Sequence, residues 1–117
     1  MEKMKPVIPT LKEKKRYIAF EIISDKPIAG FSAASKAIWK ACLGFMGEMG
    51  TGKAGIWLVP EMYNEKRQRG IIRTNNKMAE QVKASFMFVK KISRQNVIVK
   101  SRGMSGMLTK AYKNYVE

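Results

Sequence analysis

The chain has 117 residues, with 23 Lys and Arg against 9 Asp and Glu, so its formal net charge is +14. This length corresponds to one domain, and a hydrophobic content of 45% argues against a disordered chain. The absence of histidine and the presence of a single cysteine, Cys42, exclude a disulfide framework, a Ser-His-Asp triad, a Cys-His dyad and an ordinary zinc site.

The first predicted element is a basic arm at residues 1–12, followed by a single domain at 13–117. The arm has no apolar run suited to a signal peptide, and no stretch of eighteen apolar residues could span a membrane. Cys42 lies in an apolar stretch, which is typical of a reduced, buried thiol. We therefore expect a soluble, cytoplasmic protein that does not bind membranes.

A strand is predicted at 16–24, because Ile18, Phe20 and Ile22 alternate with other residues at the period of a half-buried strand. A turn at 25–30 leads into a helix that Ser32 would cap and that the glycines at 47–55 would end. The apolar stripe of this helix falls at Ile38, Cys42, Phe45 and Met49.

Strands and helices are also predicted in the second half of the chain. Residues 56–62 and 70–74 are predicted to form a hairpin. Asn75 or Asn76 would then cap a helix over 77–92, followed by a turn at 94–96 and a strand at 97–101. After Gly103, a C-terminal helix capped by Ser105 would carry the apolar stripe Met104, Leu108, Ala111 and Tyr115.

The predicted order is therefore β-α-β-β-α-β with an additional C-terminal helix. This is the α+β, ferredoxin-like plan, which RNA-recognition-motif (RRM) domains share. Two helices would cover one face of the sheet, and the other face would be open or covered by the extra helix or a partner.

The sequence at 47–54 nearly spells a phosphate-binding loop, but its context is wrong. Such a loop needs a strand before it and a helix after it, whereas here a helix is predicted first. Ala54 also occupies the position of the hydroxyl that would hold magnesium. We interpret this segment as a glycine-rich loop from helix to strand.

The positive charge is concentrated in the second half of the chain. Residues 66–116 carry thirteen basic side chains and one acid, Glu80, whereas residues 1–65 carry ten basic and seven acidic ones. Such an excess favours a polyanion as the partner, and the spread of Lys and Arg over strands and helices favours nucleic acid over a membrane.

An RRM would stack bases on aromatic side chains of its third strand. The corresponding segment here reads Arg69-Gly-Ile-Ile-Arg73, so isoleucines replace the aromatics and phosphate contacts are favoured over base stacking. Trp57 and Tyr17 could stack on bases, although aromatics on half-buried strands more often belong to the core.

Several short motifs occur in an order and spacing that resemble the archaeal ribonuclease P protein component 2 family. The resemblance runs from about Thr10 to Tyr115 and rests on Lys14-Lys-Arg-Tyr-Ile-Ala-Phe20, Gly47-Glu-Met-Gly50, Lys53-Ala54, Trp57-Leu58, Gly70-Ile-Ile-Arg73 and Gly103-Met-Ser-Gly106.

This resemblance implies an RRM-like subunit without a catalytic site of its own. It implies contact with the catalytic domain of ribonuclease P RNA, which with Mg²⁺ removes the 5′ leader from precursor tRNA, while the chain itself binds no cofactor or metal. It also implies a TIM-barrel-like protein partner and self-association into a two-plus-two heterotetramer.

Two sets of candidate site residues follow. The RNA-binding candidates are Lys12, Lys14, Lys15, Arg16, Arg69, Arg73, Lys100 and Arg102. The protein-interface candidates are Met87, Phe88, Met104 and Tyr112. The basic run at 12–16 is expected to dock into RNA because it directly precedes the first strand.

Two alternatives remain open at this stage. The same charge would suit a small basic ribosomal or other ribonucleoprotein component. The same fold also houses small acyl-phosphate hydrolases, but their arginine turn after the first strand is missing from residues 25–30.

Overall fold

The computed structural model describes residues 14–28 and 30–117, so the predicted arm at 1–12 lies outside the described residues. The strands are β1 (Lys15–Ser24), β2 (Trp57–Leu58), β3 (Arg69–Asn75), β4 (Lys91–Ile92) and β5 (Gln95–Ser105). The helices are α1 (Gly30–Ala54), α2 (Ala79–Ser85) and α3 (Leu108–Ala111). Single 3₁₀ turns lie at Pro60–Met62, Asn76–Met78 and Phe86–Phe88, and a π-helical turn lies at Tyr112–Val116.

The strands form one antiparallel sheet in the order β2-β3-β1-β5-β4. In the central strand, Ile18 lies opposite Ile72 of β3 and Met104 of β5, and Phe20 lies opposite Gly70. This order, with α1 and α2 between the strands, confirms the predicted α+β, ferredoxin-like and RRM-like fold.

The main core lies between the sheet and the two longer helices. Ile18, Phe20 and Ile22 are buried here, as their alternation predicted, and they pack against buried residues of α1 and α2 that include Ile38 and Val82. We call the opposite face of the sheet the outer face.

The C-terminal helical segment, Leu108–Val116, covers the middle of the outer face. Ala111 and Val116 pack there against Ala19 and Ile71 in a second, smaller core. This sheet face was predicted to be open or to be covered by the extra helix or a partner. The extra helix covers part of it. Among residues 14–28 and 30–117, no helix is both long and apolar enough to cross a bilayer.

The segment approaches the sheet closely because β5 has a glycine beneath it. A Cβ placed on Gly103 would lie 2.3 Å from the ring of Tyr115, so any other residue would push this ring away. Gly103 lies within β5, which runs on to Ser105, so the strand is longer at both ends than the predicted 97–101. Met104 lies in β5 rather than in the C-terminal helix.

Helix α1 differs from its prediction at both ends. It begins at Gly30, before Ser32, and it bends at Gly47 (φ 75°, ψ 174°) and continues to Ala54 instead of ending in a loop. The predicted stripe leaves the core on both sides of this bend, since Phe45 before it and Met49 after it are 43% and 77% exposed. The segment 48–54 that resembled a phosphate-binding loop is therefore helical.

The remaining differences have local causes. Strand β2 is two residues long because Pro60 has no N–H group for a sheet ladder and starts a 3₁₀ turn instead. The predicted helix at 77–92 ends at Phe88, and the chain then forms the short β4. Ser93 and Arg94 make the β4–β5 hairpin turn with φ values of 52° and 68°, so the turn precedes the predicted 94–96.

Candidate nucleic-acid interface

Apart from Lys110 and Lys113, which are exposed on the C-terminal helical segment itself, two groups of cations lie on and around the outer face, on either side of this segment. The first group lies where β1 begins and where β3, β5 and α1 end. We call it the basic end, and it consists of Lys14, Lys15, Arg16, Lys53, Arg73 and Lys77.

Hydrogen bonds to backbone groups connect the elements of the basic end. The carbonyl of Lys14 accepts a hydrogen bond from the amide of Asn76, 2.8 Å away, and Lys15 lies opposite Asn75 in the β1–β3 register. The Asn75 side chain donates to the carbonyl of Lys53 and accepts from the amide of Met78 at 3.0 Å. Asn75 therefore joins the end of α1, the end of β3 and the following turn at one place.

An exposed tryptophan lies beside Arg73 at the basic end. Trp57 of β2 lies opposite Arg73 in the register, and the guanidinium carbon lies 4.9 Å from the centroid of the indole. On its other side, Arg73 lies opposite Tyr17 of β1. Trp57 is 47% exposed, so it is not the core residue that aromatics on half-buried strands usually are.

Arg16 is half-buried, as are Lys15 and Arg73 of the basic end. Its Nη1 donates to the carbonyl of Lys15 at 3.2 Å, and a Cβ placed on Gly106 would lie 3.2 Å from the same atom. The guanidinium therefore reaches across the end of the sheet toward the close of β5. Lys12, the remaining candidate of the predicted basic run, lies outside the described residues.

The second group, which we call the Glu21 cluster, consists of Glu21, Arg69, Lys100 and Arg102. Arg102 Nη1 lies 2.9 Å from Glu21 Oε1, and Arg69 Nε lies 3.5 Å from Glu21 Oε2. Lys100 is exposed and lies opposite Glu21 in the β1–β5 register. One carboxylate therefore lies among three cations.

A β-bulge gives Arg102 this position. Ala19 lies opposite Gly103 and Phe20 lies opposite Ser101, so Arg102 is the extra residue of β5. An extra residue bends its strand and changes the direction of its side chain. The predicted RNA-binding candidates Arg69 and Arg102 are thus held against a carboxylate that the sequence did not indicate as their partner.

The two groups differ in their electrostatics. Ion pairs between described residues involve Glu21 with Arg69 and Arg102, and Glu80 with Lys83, but none of the six cations of the basic end. Lysine and arginine neutralise phosphates by charge and hydrogen bonding, so both groups can hold a polyanion. The basic end presents the larger uncompensated charge.

The interface candidates fall in different places. Met87 and Phe88 are 73% and 55% exposed, and Phe88 stacks on Phe45 with ring centroids 5.2 Å apart. A groove of about 400 Å³ lies beside them between α1 and residues 88–91, rimmed by lysines. Met104 is half-buried against the main core and Tyr112 against the smaller core, so the structure does not bring these two together with Met87 and Phe88.

Two buried groups lie away from both cation groups. Burial raises the pKa of the Cys42 thiol, although a hydrogen bond with Ser85 lowers it in part. Burial and the charge of Glu65 raise the pKa of the Tyr63 hydroxyl. A buried, protonated thiol is a poor nucleophile. Among the described residues, no three His, Cys, Asp or Glu side chains are grouped as metal ligands would be.

Sequence reasoning missed three contributors to these surfaces. Lys53 and Lys77 join the basic end only because Asn75 brings their backbones to the end of β3. Phe45 was predicted in the core but stacks on Phe88 at the surface. The asparagine pair after the third strand was the one available signal, because asparagine often caps backbone groups at such junctions.

Comparisons with known proteins match nearly the whole chain. The family model described as the Rpp14/Pop5 family matches residues 16–116. The ribonuclease P protein component 2 of Pyrococcus furiosus is 37% identical over 115 residues, covering 98% of this chain and 93% of that protein.

Two further relatives carry the same name. The protein from Thermococcus gammatolerans is 35% identical over 115 residues, with coverage of 98% and 93%. The protein from Methanocaldococcus jannaschii is 36% identical over 111 residues, covering 95% of this chain and 79% of the relative. These matches confirm the resemblance seen in the sequence motifs, and the chain belongs to the Rpp14/Pop5 family.

Proposed function

We propose that this chain is a protein subunit of ribonuclease P that binds the RNA subunit and stabilises its catalytic domain during removal of the 5′ leader from precursor tRNA. The observation that carries this proposal is the match over nearly the full chain to proteins named ribonuclease P protein component 2. The basic end supports it, because six cations meet there beside an exposed tryptophan.

In this proposal, the RNA with its Mg²⁺ performs the chemistry and the protein neutralises phosphates. The chain has no histidine, and its one thiol is buried with a raised pKa, which favours a structural over a catalytic role. The chain would bind no cofactor itself. Its cations would lower the repulsion between RNA segments that fold against each other.

The proposed protein partners are a TIM-barrel-like subunit and a second copy of this chain, in a two-plus-two heterotetramer. The exposed pair Phe45 and Phe88, with the neighbouring Met87, supports a protein contact on the helical side of the molecule. Exposed aromatic and methionine side chains are enriched at protein interfaces. This surface lies away from the outer face, so RNA and protein partners need not compete.

Salt dependence tests the phosphate contacts. If the six cations of the basic end each contact a phosphate, the logarithm of the binding constant falls with the logarithm of salt concentration with a slope of about −4 to −5. A slope shallower than about −2 on ribonuclease P RNA would contradict a contact of this size.

Reconstitution tests the function. Ribonuclease P RNA and the barrel-like subunit are combined with and without this chain, and 5′ processing of precursor tRNA is measured at limiting Mg²⁺. We expect faster processing with the chain, because protein cations replace part of the Mg²⁺ requirement for RNA folding. The absence of any gain would contradict the proposal. In a separate co-purification experiment, recovery of ribosomal RNA instead of ribonuclease P RNA would favour a ribosomal component.

A further inference from the structure

The exposed tryptophan of the basic end has no role in the packing of the core. We propose that Trp57 is a stacking platform for an unpaired RNA base, and that Arg73 fixes the indole and contacts the neighbouring phosphate. This inference rests on the proposed RNA-binding function and names the part of the RNA that this site takes, a nucleotide outside a double helix.

The position of Trp57 makes it accessible. Strand β2 is the edge strand of the sheet, next to β3 and two residues long, and Trp57 is 47% exposed within it. Its strand neighbour Leu58 is buried in the main core, which fixes the backbone of β2 and directs Trp57 to the outer face. The indole is therefore attached to a rigid element while about half of it is open to solvent.

Arg73 prepares the site for a nucleotide in two ways. Its guanidinium lies 4.9 Å from the indole centroid, a cation–π distance that stabilises the observed orientation of the ring. Its Nε is buried, but the two terminal nitrogens of the guanidinium carry four further N–H donors. A phosphate beside a base stacked on Trp57 would accept hydrogen bonds from these donors.

The C-terminal helical segment explains why stacking would occur at the edge of the sheet. In the centre of the outer face, Ile71 of β3 packs beneath Ala111 and Val116. The place where an RRM carries its stacking aromatics is thus filled by the chain itself. On β2, beyond this segment, the aromatic side chain is exposed instead.

The surroundings favour RNA over an apolar protein surface as the occupant. Trp57 belongs to the end of the molecule that carries Lys14, Lys15 and Lys53, and such a set of cations favours a phosphate backbone. An unpaired base offers a free π-face, whereas both faces of a base within a duplex are covered by its neighbours. The combination of cations and one open indole therefore fits single-stranded RNA.

The two tryptophans allow a direct optical test. Trp39→Phe leaves Trp57 as the one indole, and Trp57→Phe leaves Trp39, which is 40% exposed on α1 and serves as the matched control. Each variant is titrated with a single-stranded RNA, an RNA duplex of equal length and inorganic polyphosphate. We expect single-stranded RNA to quench Trp57 fluorescence much more than Trp39 fluorescence, and polyphosphate to quench neither.

Binding measurements give a second readout. Trp57→Ala is expected to weaken single-stranded RNA about 5- to 150-fold, which corresponds to about 1–3 kcal/mol for one stacked base. Affinity for polyphosphate should not change, because polyphosphate has no base. Trp57→Tyr, which retains an aromatic face, should recover most of the affinity, and circular dichroism reports whether each variant is folded.

Three results would overturn the stacking role. One is tight RNA binding with no selective quenching of Trp57, and another is an equal loss of RNA and polyphosphate affinity in Trp57→Ala. The third is quenching by the barrel-like subunit but not by RNA, which would make Trp57 a protein contact. All three leave the RNA-binding function standing, whereas failure of the unaltered protein to bind any RNA would contradict that function itself.

Discussion

The basic end and the Glu21 cluster lie on the same side of the sheet, but only one of them contains a carboxylate. Arg73 and Arg69 are four residues apart on β3, about 13 Å at the usual rise of a strand. Arg73 lies against an indole, whereas Arg69 and Arg102 lie against Glu21. The same residue type is therefore available for an anion in one region and already paired in the other.

This difference matters because the ion pairs are partly buried. The Glu21 and Arg69 side chains are 19% and 18% exposed, and ion pairs with low exposure are screened less by salt than those at the surface. A phosphate at the Glu21 cluster must approach a carboxylate as well as three cations. The net charge of +14 therefore overstates the attraction of the Glu21 cluster for phosphates. We expect the basic end to provide most of the RNA affinity.

Removal of cations from the basic end should have the largest effect. In Lys14→Gln, Lys15→Gln and Arg73→Gln combined, the loss of three phosphate contacts should weaken single-stranded RNA about 100-fold at 0.1 M salt. The salt slope should become shallower by about 2. Both quantities can be measured by fluorescence anisotropy over a range of salt concentrations.

A matched variant controls for net charge. Lys36, Lys40 and Lys90 are exposed on the helical side, and changing all three to Gln removes the same charge from a different surface. We expect a much smaller loss of affinity from this control. Equal losses in the two triple variants would show that total charge, rather than the basic end, determines RNA binding.

The C-terminal helical segment separates the two regions, and a substitution at Gly103 tests how it is packed. Gly103→Ala places a methyl group 2.3 Å from the Tyr115 ring and should displace the C-terminal helical segment. We expect a loss of about 1–3 kcal/mol in the free energy of unfolding, the usual cost of overpacking. Chemical denaturation measures this loss.

Gly44→Ala is the control for Gly103→Ala. A methyl group at Gly44 in α1 would meet no atom within 4 Å, and alanine favours a helix, so this variant should gain about 0.5–1 kcal/mol. If Gly103→Ala were as stable as the unaltered protein, the C-terminal helical segment would not be packed against β5 as described.

Glu21→Gln should make the second region resemble the first. Without the carboxylate, Arg69 and Arg102 become available to phosphates, and removal of one negative charge should strengthen RNA binding about 5-fold at 0.1 M salt. Stability should fall by about 1–2 kcal/mol, because Arg102 loses a charged hydrogen-bond partner and Arg69 loses its ion pair. Anisotropy and denaturation titrations report the two effects separately, and weaker RNA binding would mean that Glu21 orients the arginines for RNA.

The sequence predicted those parts of the fold whose signal is local. The alternation of Ile18, Phe20 and Ile22 identified β1 and its buried face correctly. A cap was predicted at Asn75 or Asn76, and the side chain of Asn75 accepts a hydrogen bond from the amide of Met78. In both cases, the structure depends on residues within a few positions of each other, so a pattern in one sequence is sufficient.

The sequence failed where distant elements decide the outcome. Phe45 continues the helical stripe of α1, but it lies at the surface, where it stacks on Phe88 from a distant part of the chain. Glu21 alternates like any outer residue of a strand, and only the bulge in β5 brings Arg102 to it. Gln68 is buried and has a φ of 55°, and its side-chain oxygen accepts a hydrogen bond from the amide of Ile28. A polar turn sequence does not indicate this role.

The dependence of stability on pH should be the smallest effect. It also sets the pH range in which RNA binding by the two regions can be compared with a stable protein. Burial raises the pKa of Cys42, and burial with the charge of Glu65 raises that of Tyr63. Both groups are neutral when protonated, so the folded state retains these protons to higher pH than the unfolded state does. Their contribution to stability is complete below the unfolded pKa values, about 8.5 for Cys and about 10 for Tyr, and is lost as the pH rises above them.

Melting temperatures measured between pH 6 and 11 test this expectation. We expect a decline that begins above about pH 8.5. The first part of this decline should flatten in Cys42→Ala, and the part above about pH 10 should flatten in Tyr63→Phe. Histidine, whose charge changes near pH 6.5, does not occur in the chain, so the affinity ratio between the two triple-Gln variants should stay constant from about pH 6 to 8. A ratio that changed within this window would mean that a titrating group takes part in RNA binding at one of the two surfaces, and the contrast drawn from Lys and Arg alone would fail.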